Sequence, residues 1–229
     1  MKDWLRARAR ELRAYLQLPQ GSGVVLLADY RTGSTLLASL LGQHPQVTDR
    51  GDLFLGFMQL RFSRVLDPLA FVLAHPGLCT LRVAQLERVG ARPPQLLAQL
   101  AAHGWPLIYL RRRSLQQQAL SNLLARRQRR WHRPVHDGRE LPPVRLDPAE
   151  YRAELQRRQR VRRLEGEALA GLSHLALVYE DDLQHGYTDA IGRCFEYLGL
   201  PPVAVQPRWQ PTSSLSWHQR VLNLGELGL

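Results

Sequence analysis

The sequence predicts a single α/β domain in which a parallel sheet lies between two layers of helices. Four short apolar runs have the length of buried strands, and segments with helical periodicity separate them. Strands that alternate with helices pair in parallel through crossovers, which gives a three-layer sandwich. The chain has 229 residues and is 45% hydrophobic, enough for one substantial core. Residues 1–229 are therefore expected to be one domain, with strands at Val24–Ala28, Leu78–Val83, Leu107–Leu110 and Leu175–Tyr179.

The remaining segments divide into predicted helices and one long loop. Residues 1–20 have the pattern of an amphipathic helix that packs on the domain or, through its arginines, touches a membrane surface. Residues 132–147 are rich in proline and charge, which indicates an exposed, mobile loop, either a lid or a plain surface excursion. The helices are predicted at Ser34–Gly42, Asp52–Val65, Pro94–His103, Leu115–Trp131, Pro148–Leu169 and Asp189–Leu198.

The composition indicates a surface that attracts anions. The formal net charge is +11, and the basic residues are Lys2 and thirty arginines. The two cysteines, Cys79 and Cys194, have neither the number of a disulfide framework nor metal-ligand spacing, so we expect buried thiols in a reducing compartment. The sequence has no secretory pattern and no run of roughly 18 apolar residues, which favours a cytoplasmic protein.

The stretch "ADYRTGSTLL" places an arginine, a glycine and three hydroxyls between the first strand and its helix. Free backbone N–H groups and the positive end of a helix meet at such a turn and bind anions. Gly33 would allow close approach of a phosphate, and Arg31 would add a fixed charge. The loop lacks the first glycine and the lysine of a nucleoside-triphosphate P-loop, which counts against ATP or GTP hydrolysis. Ser34 and Thr35 could instead be simple N-capping residues.

"RTGSTLL" after a strand resembles the 5′-phosphosulfate loop of PAPS-dependent sulfotransferases, where PAPS is 3′-phosphoadenosine 5′-phosphosulfate. The form R-[ST]-G-[ST]-[ST] is that of carbohydrate sulfotransferases and of the bacterial Stf0-like and nodulation-type enzymes. The resemblance implies a P-loop-like α/β fold in which Arg31, Thr32, Gly33, Ser34 and Thr35 hold the phosphosulfate. Arg31 and the loop amides would also stabilise the leaving phosphate.

A second anion site is implied at the end of the third apolar run, in "LIYLRRRSLQQQALSNLLARRQRRW". In sulfotransferases an arginine at such a strand end and a serine eight residues later hold the 3′-phosphate of PAPS. Arg113 and Ser121 have that spacing, with Arg112 as the alternative if the register slips by one residue. "QALS" followed by Trp131 also resembles the Stf0-like pattern, and this tryptophan is either a core residue or a platform for the ligand.

Two further stretches extend the resemblance over nearly the whole chain. "LALVYEDDL" with "IGRCFEYLGLP" resembles a strand exit and helix end common in sulfotransferases, and we expect Glu180 and Asp181 to cap or pair with arginines. "QPTSSLSWHQRVLNLGEL" resembles the polar tail that closes over the nucleotide there. Thr212, Ser213 and Ser214 belong either to that tail or to an ordinary turn.

Transfer to an alcohol also needs a base for the hydroxyl proton. "HPQVTDRGDLFLGF" resembles a nodulation-type stretch that carries a glutamate, and Asp52 stands in the place of that glutamate. Asp52 could equally be the N-cap of a following helix, and His44 is the other candidate base. Arg82 replaces a lysine of Stf0-like enzymes and is a candidate contact to phosphosulfate or acceptor, while Gln85 and Glu87 either line the same cleft or face solvent.

The resemblance as a whole implies an enzyme that moves a sulfuryl group from PAPS to a hydroxyl of a carbohydrate, glycolipid or small metabolite. It implies no metal, no specific nucleic-acid partner, and a monomer or homodimer. Two other hypotheses stay open. The arginine-rich helix could bind a nucleic-acid backbone without catalysis, or the chain could be a nucleotide kinase with a degenerate P-loop.

Overall fold

The computed structural model describes residues 23–56, 67–211 and 213–229. Within them, five parallel strands form one sheet in the order β2-β3-β1-β4-β5. The predicted α/β fold with a parallel sheet between helices is confirmed. The predicted helix over residues 1–20 lies outside the described residues. The strands are β1 Val24–Ala28, β2 Asp49–Asp52, β3 Leu78–Leu81, β4 Leu107–Arg111 and β5 Leu175–Val178.

Helices cover both faces of the sheet because successive strand residues point to opposite sides. Val25 and Leu27 of β1 join one core cluster, and Leu26 and Ala28 join the other. A third cluster lies between the arginine-rich helix and the long helix that follows it. The helices are α1 Ser34–Leu41, α2 Pro68–Leu73, α3 Val83–Arg88, α4 Pro93–Ala102, α5 Leu115–Gln128, α6 Pro148–Leu169, α7 Tyr179–Asp182, α8 Thr188–Tyr197 and α9 Trp217–Arg220, with a 3₁₀ helix at Leu224–Leu227.

The β2 strand was not expected from the sequence. Its residues "DRGD" are polar because it is an edge strand, and its pairing with β3 shifts register between Asp49 and Gly51. Asp52 is the last residue of this strand, so the predicted helix Asp52–Val65 does not begin there. Residues 57–65 of that prediction lie outside the described part of the chain.

The strand order places one crevice at the carboxyl end of β1. The chain runs from β1 out to β2, returns through β3 beside β1, and then crosses to β4 on the other side. Ligands of open α/β sheets bind where the winding direction reverses in this way. The turn that follows β1 and the arginines that follow β4 therefore lie side by side at the same edge of the sheet.

Candidate active site

Two adjoining cavities open at the carboxyl ends of the strands. The larger has a volume of about 960 Å³ and the smaller about 380 Å³. Both volumes fall in the range of small-molecule sites, roughly 300–1,000 Å³. The two cavities form one cleft because five residues line both of them: Ser34, Thr35, Asp52, Arg82 and Trp209.

The turn after β1 has the backbone of an anion-binding loop. Arg31 and Gly33 both have positive φ, 66° and 91°, and α1 begins directly after Gly33. A side chain at Gly33 would also collide with Tyr179, since a Cβ there would lie 2.5 Å from its ring. Ser34 and Thr35 line the cleft as predicted. Thr32 is buried outside the cavity lining, and its hydroxyl donates to the carbonyl of Asp29 at 2.7 Å.

A buried ion-pair network fixes this turn, and the sequence analysis did not identify it. Asp29 accepts a hydrogen bond from the amide of Tyr30 at 2.7 Å and forms an ion pair with Arg158 of α6. Arg158 is 1% exposed and also pairs with Glu154, one helical turn earlier. Gln118 of α5 donates to Asp29 as well, at 3.2 Å. The turn after β1 is thereby held against two helices that are distant in sequence.

The exit of β4 separates the two predicted arginines. Arg112 is 8% exposed, lines the larger cavity, donates to Glu180 at 3.0 Å and stacks on Tyr179. Arg113 has a side chain that is 66% exposed, pairs with Asp181, and does not line the cavity. The structure thus brings the alternative, Arg112, into the site rather than the preferred Arg113. Glu180 and Asp181 pair with these arginines, as predicted for them.

Arg31 connects the two strand exits. Its Nε donates to the hydroxyl of Ser121 on α5 at 3.1 Å, and another nitrogen donates to the carbonyl of Trp131. Burial, followed by the neighbouring charges of Arg112 and Arg220, lowers the pKa of Arg31 to about 10. Burial removes the guanidinium from water, and the neighbouring cations add a repulsion that a bound anion would relieve.

Arg220 is a functional candidate that the sequence analysis did not single out. It lies on the short α9, lines the larger cavity, and stacks on Trp217. Burial, and then the charges of Arg112 and Arg133, lower its pKa despite the opposing charge of Glu140. The stretch "SWHQRVL" belongs to the tail that the resemblance places over the nucleotide, but nothing in it distinguishes Arg220 as part of the cavity wall.

Asp52 lies at the junction of the two cavities. Its Oδ2 accepts from Arg82 Nε at 2.7 Å and from Gln85 Nε2 at 3.0 Å, whereas its buried Oδ1 has no hydrogen-bond partner among the described residues. Arg82 also donates to the carbonyl of Ala28 at 2.9 Å and lies 3.4 Å from the hydroxyl of Ser34. Arg82 and Gln85 therefore orient the carboxylate and leave one of its oxygens for another group.

Two other predicted candidates lie away from the cleft. His44 is buried against Phe195, accepts from the amide of Gln46 at 3.1 Å, and contacts the carbonyl of Pro201 through its other ring nitrogen. Both nitrogens thus have backbone partners outside the cavities. Glu87 is on the surface and lies 3.8 Å from Arg160.

The outer wall of the larger cavity comes from the 132–147 segment and the C-terminal tail. Glu140 joins them, because it accepts from the hydroxyls of Ser213 and Ser214 at 2.6 and 2.8 Å and pairs with Arg133 at 2.8 Å. The hydroxyl of Ser213, first among these donors, lowers the pKa of Glu140 to about 2. Thr212 lies outside the described residues. Trp131 is 43% exposed and lines this cavity, so it is not a core residue.

The described residues contain no group of three or more histidine, cysteine or acidic side chains arranged to hold a metal ion. None of the helices among them is both long and apolar enough to cross a membrane. The cleft combines backbone amides, hydroxyls and guanidinium groups with the carboxylates of Asp49 and Asp52, which suits the binding of a phosphorylated ligand and the removal of a proton.

Comparison with solved structures identifies the fold. A sulfotransferase domain from the curacin biosynthetic pathway superimposes with a TM-score of 0.54 and 18% sequence identity, over 87% of this chain and 82% of that domain. No family model matches the sequence, and curated proteins give no significant match. The chain therefore has the fold of a sulfotransferase domain.

Proposed function

We propose that the protein is a PAPS-dependent sulfotransferase that transfers a sulfuryl group to a hydroxyl of a carbohydrate, glycolipid or small metabolite. The hydrogen bond from Arg31 to Ser121 carries the proposal. It joins the turn after β1 to the helix after β4, so that both candidate anion sites face one cavity. A ligand with anionic groups at two separated positions, as in a doubly phosphorylated adenosine, matches that arrangement.

The residues of the cleft fit PAPS. The amides of the turn after β1 and the hydroxyls of Ser34 and Thr35 would hold the phosphosulfate, as helix N-termini hold phosphates. Arg112 and Ser121 would hold the 3′-phosphate through charge-assisted hydrogen bonds. Arg112 replaces Arg113 in this assignment because Arg112 faces the cavity. PAPS supplies the sulfuryl group, which its mixed phosphate–sulfate anhydride activates.

The reaction forms one S–O bond to the acceptor oxygen and breaks the S–O bond to the 5′-phosphate. The acceptor proton passes to Asp52, whose Oδ1 has no hydrogen-bond partner in the described part of the chain, while Arg82 and Gln85 hold its Oδ2. Arg31 and the amides of the turn stabilise the charge that develops on the leaving phosphate. The products are a sulfate ester and adenosine 3′,5′-bisphosphate (PAP).

Ligand binding tests the proposal first. PAP at saturating concentration should raise the melting temperature of the whole chain, because a ligand that binds only the native state stabilises it. ATP should have a much smaller effect, and PAP should displace any bound DNA. Protection by ATP without protection by PAP would instead indicate a nucleotide kinase. Salt-sensitive DNA binding that PAP does not displace would indicate a nucleic-acid-binding protein.

Replacing the candidate base tests the chemical step. We expect Asp52→Asn to lower the turnover number for transfer from radiolabelled PAPS by about 100-fold or more, the scale of general-base catalysis. The dissociation constant for PAP should change little, since the amide keeps the volume of the carboxylate. Glu87→Gln, a similar change on the surface, is the control. Unchanged turnover in Asp52→Asn would remove Asp52 from the mechanism.

A further inference from the structure

We propose that the smaller cavity is the acceptor site and that it selects a compact, polyhydroxylated acceptor over a phenol or a lipid alcohol. This inference rests on the proposed sulfotransferase function. The name acceptor lobe is used below for the residues that line the smaller cavity and not the larger one. They are Ala38, Ser39, Gly42, Asp49, Gly51, Thr80 and Arg208.

The position of the acceptor lobe suits the group that attacks sulfur. The lobe runs along α1 on one side and β2 on the other, and it meets the larger cavity at Ser34, Thr35 and Asp52. A molecule in the lobe therefore reaches the phosphosulfate turn from the side away from Arg112 and Ser121, which line only the larger cavity. The attacking oxygen and the leaving oxygen must lie on opposite sides of sulfur, and the two cavities separate them in this way.

The lining of the lobe determines what it accepts. Its own residues are small, hydroxylated or charged, and among the described residues Trp209 at the junction provides the large apolar surface. Hydroxyls of Ser39 and Thr80 and the carboxylate of Asp49 provide hydrogen-bond partners for several acceptor hydroxyls. Trp209 provides an aromatic surface for the apolar face of a ring, together with an N–H for a polar group. A molecule with hydroxyls around a compact ring satisfies both features.

The size and the exposed apolar residues exclude the other acceptor classes. The smaller cavity, which the acceptor lobe lines, has a volume of about 380 Å³, near the lower limit for small-molecule sites. Leu55 and Trp131, 47% and 43% exposed, line the larger cavity and not the lobe. A long apolar acceptor would have to lie against them, in the space that PAPS needs. A phenol carries one hydroxyl and would use fewer of the hydrogen-bonding groups of the lobe than a polyol does.

An acceptor panel tests the chemical class. Radiolabelled PAPS is incubated with four polyols (methyl glucoside, methyl galactoside, maltose and myo-inositol) and with 4-nitrophenol and detergent-dispersed dodecanol. We expect at least one polyol to be sulfated with a kcat/KM about tenfold or more above that of either apolar alcohol. Faster transfer to 4-nitrophenol or dodecanol would overturn the proposal, and so would transfer to none of the four polyols by protein that binds PAP.

Filling the lobe tests its location. Ser39→Leu places a bulky apolar side chain in the lobe, and we expect it to lower kcat/KM for the best polyol about tenfold or more while the dissociation constant for PAP stays the same. Ser173→Leu, in the turn before β5 and outside both cavities, is the matched control. Arg208→Trp, on an exposed residue of the lobe, repeats the test should Ser39→Leu lower stability. Unchanged kcat/KM in folded Ser39→Leu and in Arg208→Trp would overturn the location.

The PAP measurement separates the two levels of inference. Protein that neither binds PAP nor transfers sulfate would refute the proposed function. If the protein binds PAP but sulfates 4-nitrophenol faster than the polyols, the proposed acceptor class is refuted. If kcat/KM is unchanged in the lobe variants, the proposed acceptor site is refuted. The sulfotransferase function stands in both cases.

Discussion

The exits of β1 and β4 lie side by side at one edge of the sheet. The sequence indicates the cavity-lining residues clearly at the exit of β1 and much less clearly at the exit of β4. After β1, a single glycine with positive φ and two hydroxyls occupy the positions that face the cleft. Three consecutive arginines stand at the end of β4, Arg111 as its last residue and Arg112 and Arg113 after it. Of these three, Arg112 lines the cavity. The first exit can be recognised from its residue types, whereas the second depends on which arginine turns inward.

The direction of each arginine follows from neighbouring elements. Arg111 still pairs with Val178 as the last residue of β4. Arg112 turns onto Tyr179 and Glu180, and the backbone amide of Arg113 donates to the same Glu180 at 2.8 Å. Arg113 is left to pair with Asp181 on the surface. The exit of β5 therefore determines which arginine lines the cavity, and the spacing from Ser121 does not.

The largest expected effect at these exits is that of Arg112→Ala. Loss of a buried charged partner should weaken PAP binding about 100-fold, since a hydrogen bond to a charged group contributes about 1.5–3 kcal/mol. Stability should fall as well, because Glu180 loses its ion-pair partner at a site with little solvent. Isothermal titration with PAP and a melting curve measure the two effects. Binding within twofold of wild type would exclude Arg112 as a phosphate ligand.

A smaller effect is expected at the other exit, from Gly33→Ala. The left-handed backbone conformation of Gly33 costs an alanine about 1–2 kcal/mol of folding free energy. The added Cβ would also displace the ring of Tyr179. We expect both a lower melting temperature and weaker PAP binding, because the displaced ring also supports Arg112. Gly192→Ala is the control. It lies inside α8 with open space around it and should raise stability slightly. Equal stability of the two variants would show that the turn does not need glycine.

The two exits also indicate how far the sequence determines this structure. β1 is predicted to the residue, Val24–Ala28, because a continuous apolar run is what a strand buried on both faces requires. β2 was missed because its edge position leaves it polar, with no periodic signal. Asp52, which the resemblance indicated, lines both cavities, although it ends a strand and does not begin a helix.

The sequence did not indicate which residues distant in the chain contact one another. Asp29, which anchors the turn, meets Arg158 from a helix 129 residues later. Glu140 likewise accepts hydrogen bonds from Ser213 and Ser214, which are far from it in the chain. Arg220 lies near Arg112 and Arg133, which are also distant in sequence. Local motifs indicated Arg31, Arg82 and Arg112 among the thirty arginines, but no local motif indicated Arg158 or Arg220.

Arg113→Ala is expected to have the smallest effect on PAP affinity. Comparing it with Arg112→Ala tests which of these two adjacent arginines binds the ligand. The Arg113 side chain is mostly exposed and its ion pair with Asp181 is on the surface, where such pairs contribute about 0–1 kcal/mol. We expect PAP affinity within about twofold of wild type at moderate salt, where long-range attraction is screened. Titrations of Arg112→Ala and Arg113→Ala in the same buffer give the comparison. A loss in Arg113→Ala as large as that in Arg112→Ala would mean that the ligand-bound exit of β4 turns Arg113 inward, and the original spacing rule would then hold for the complex.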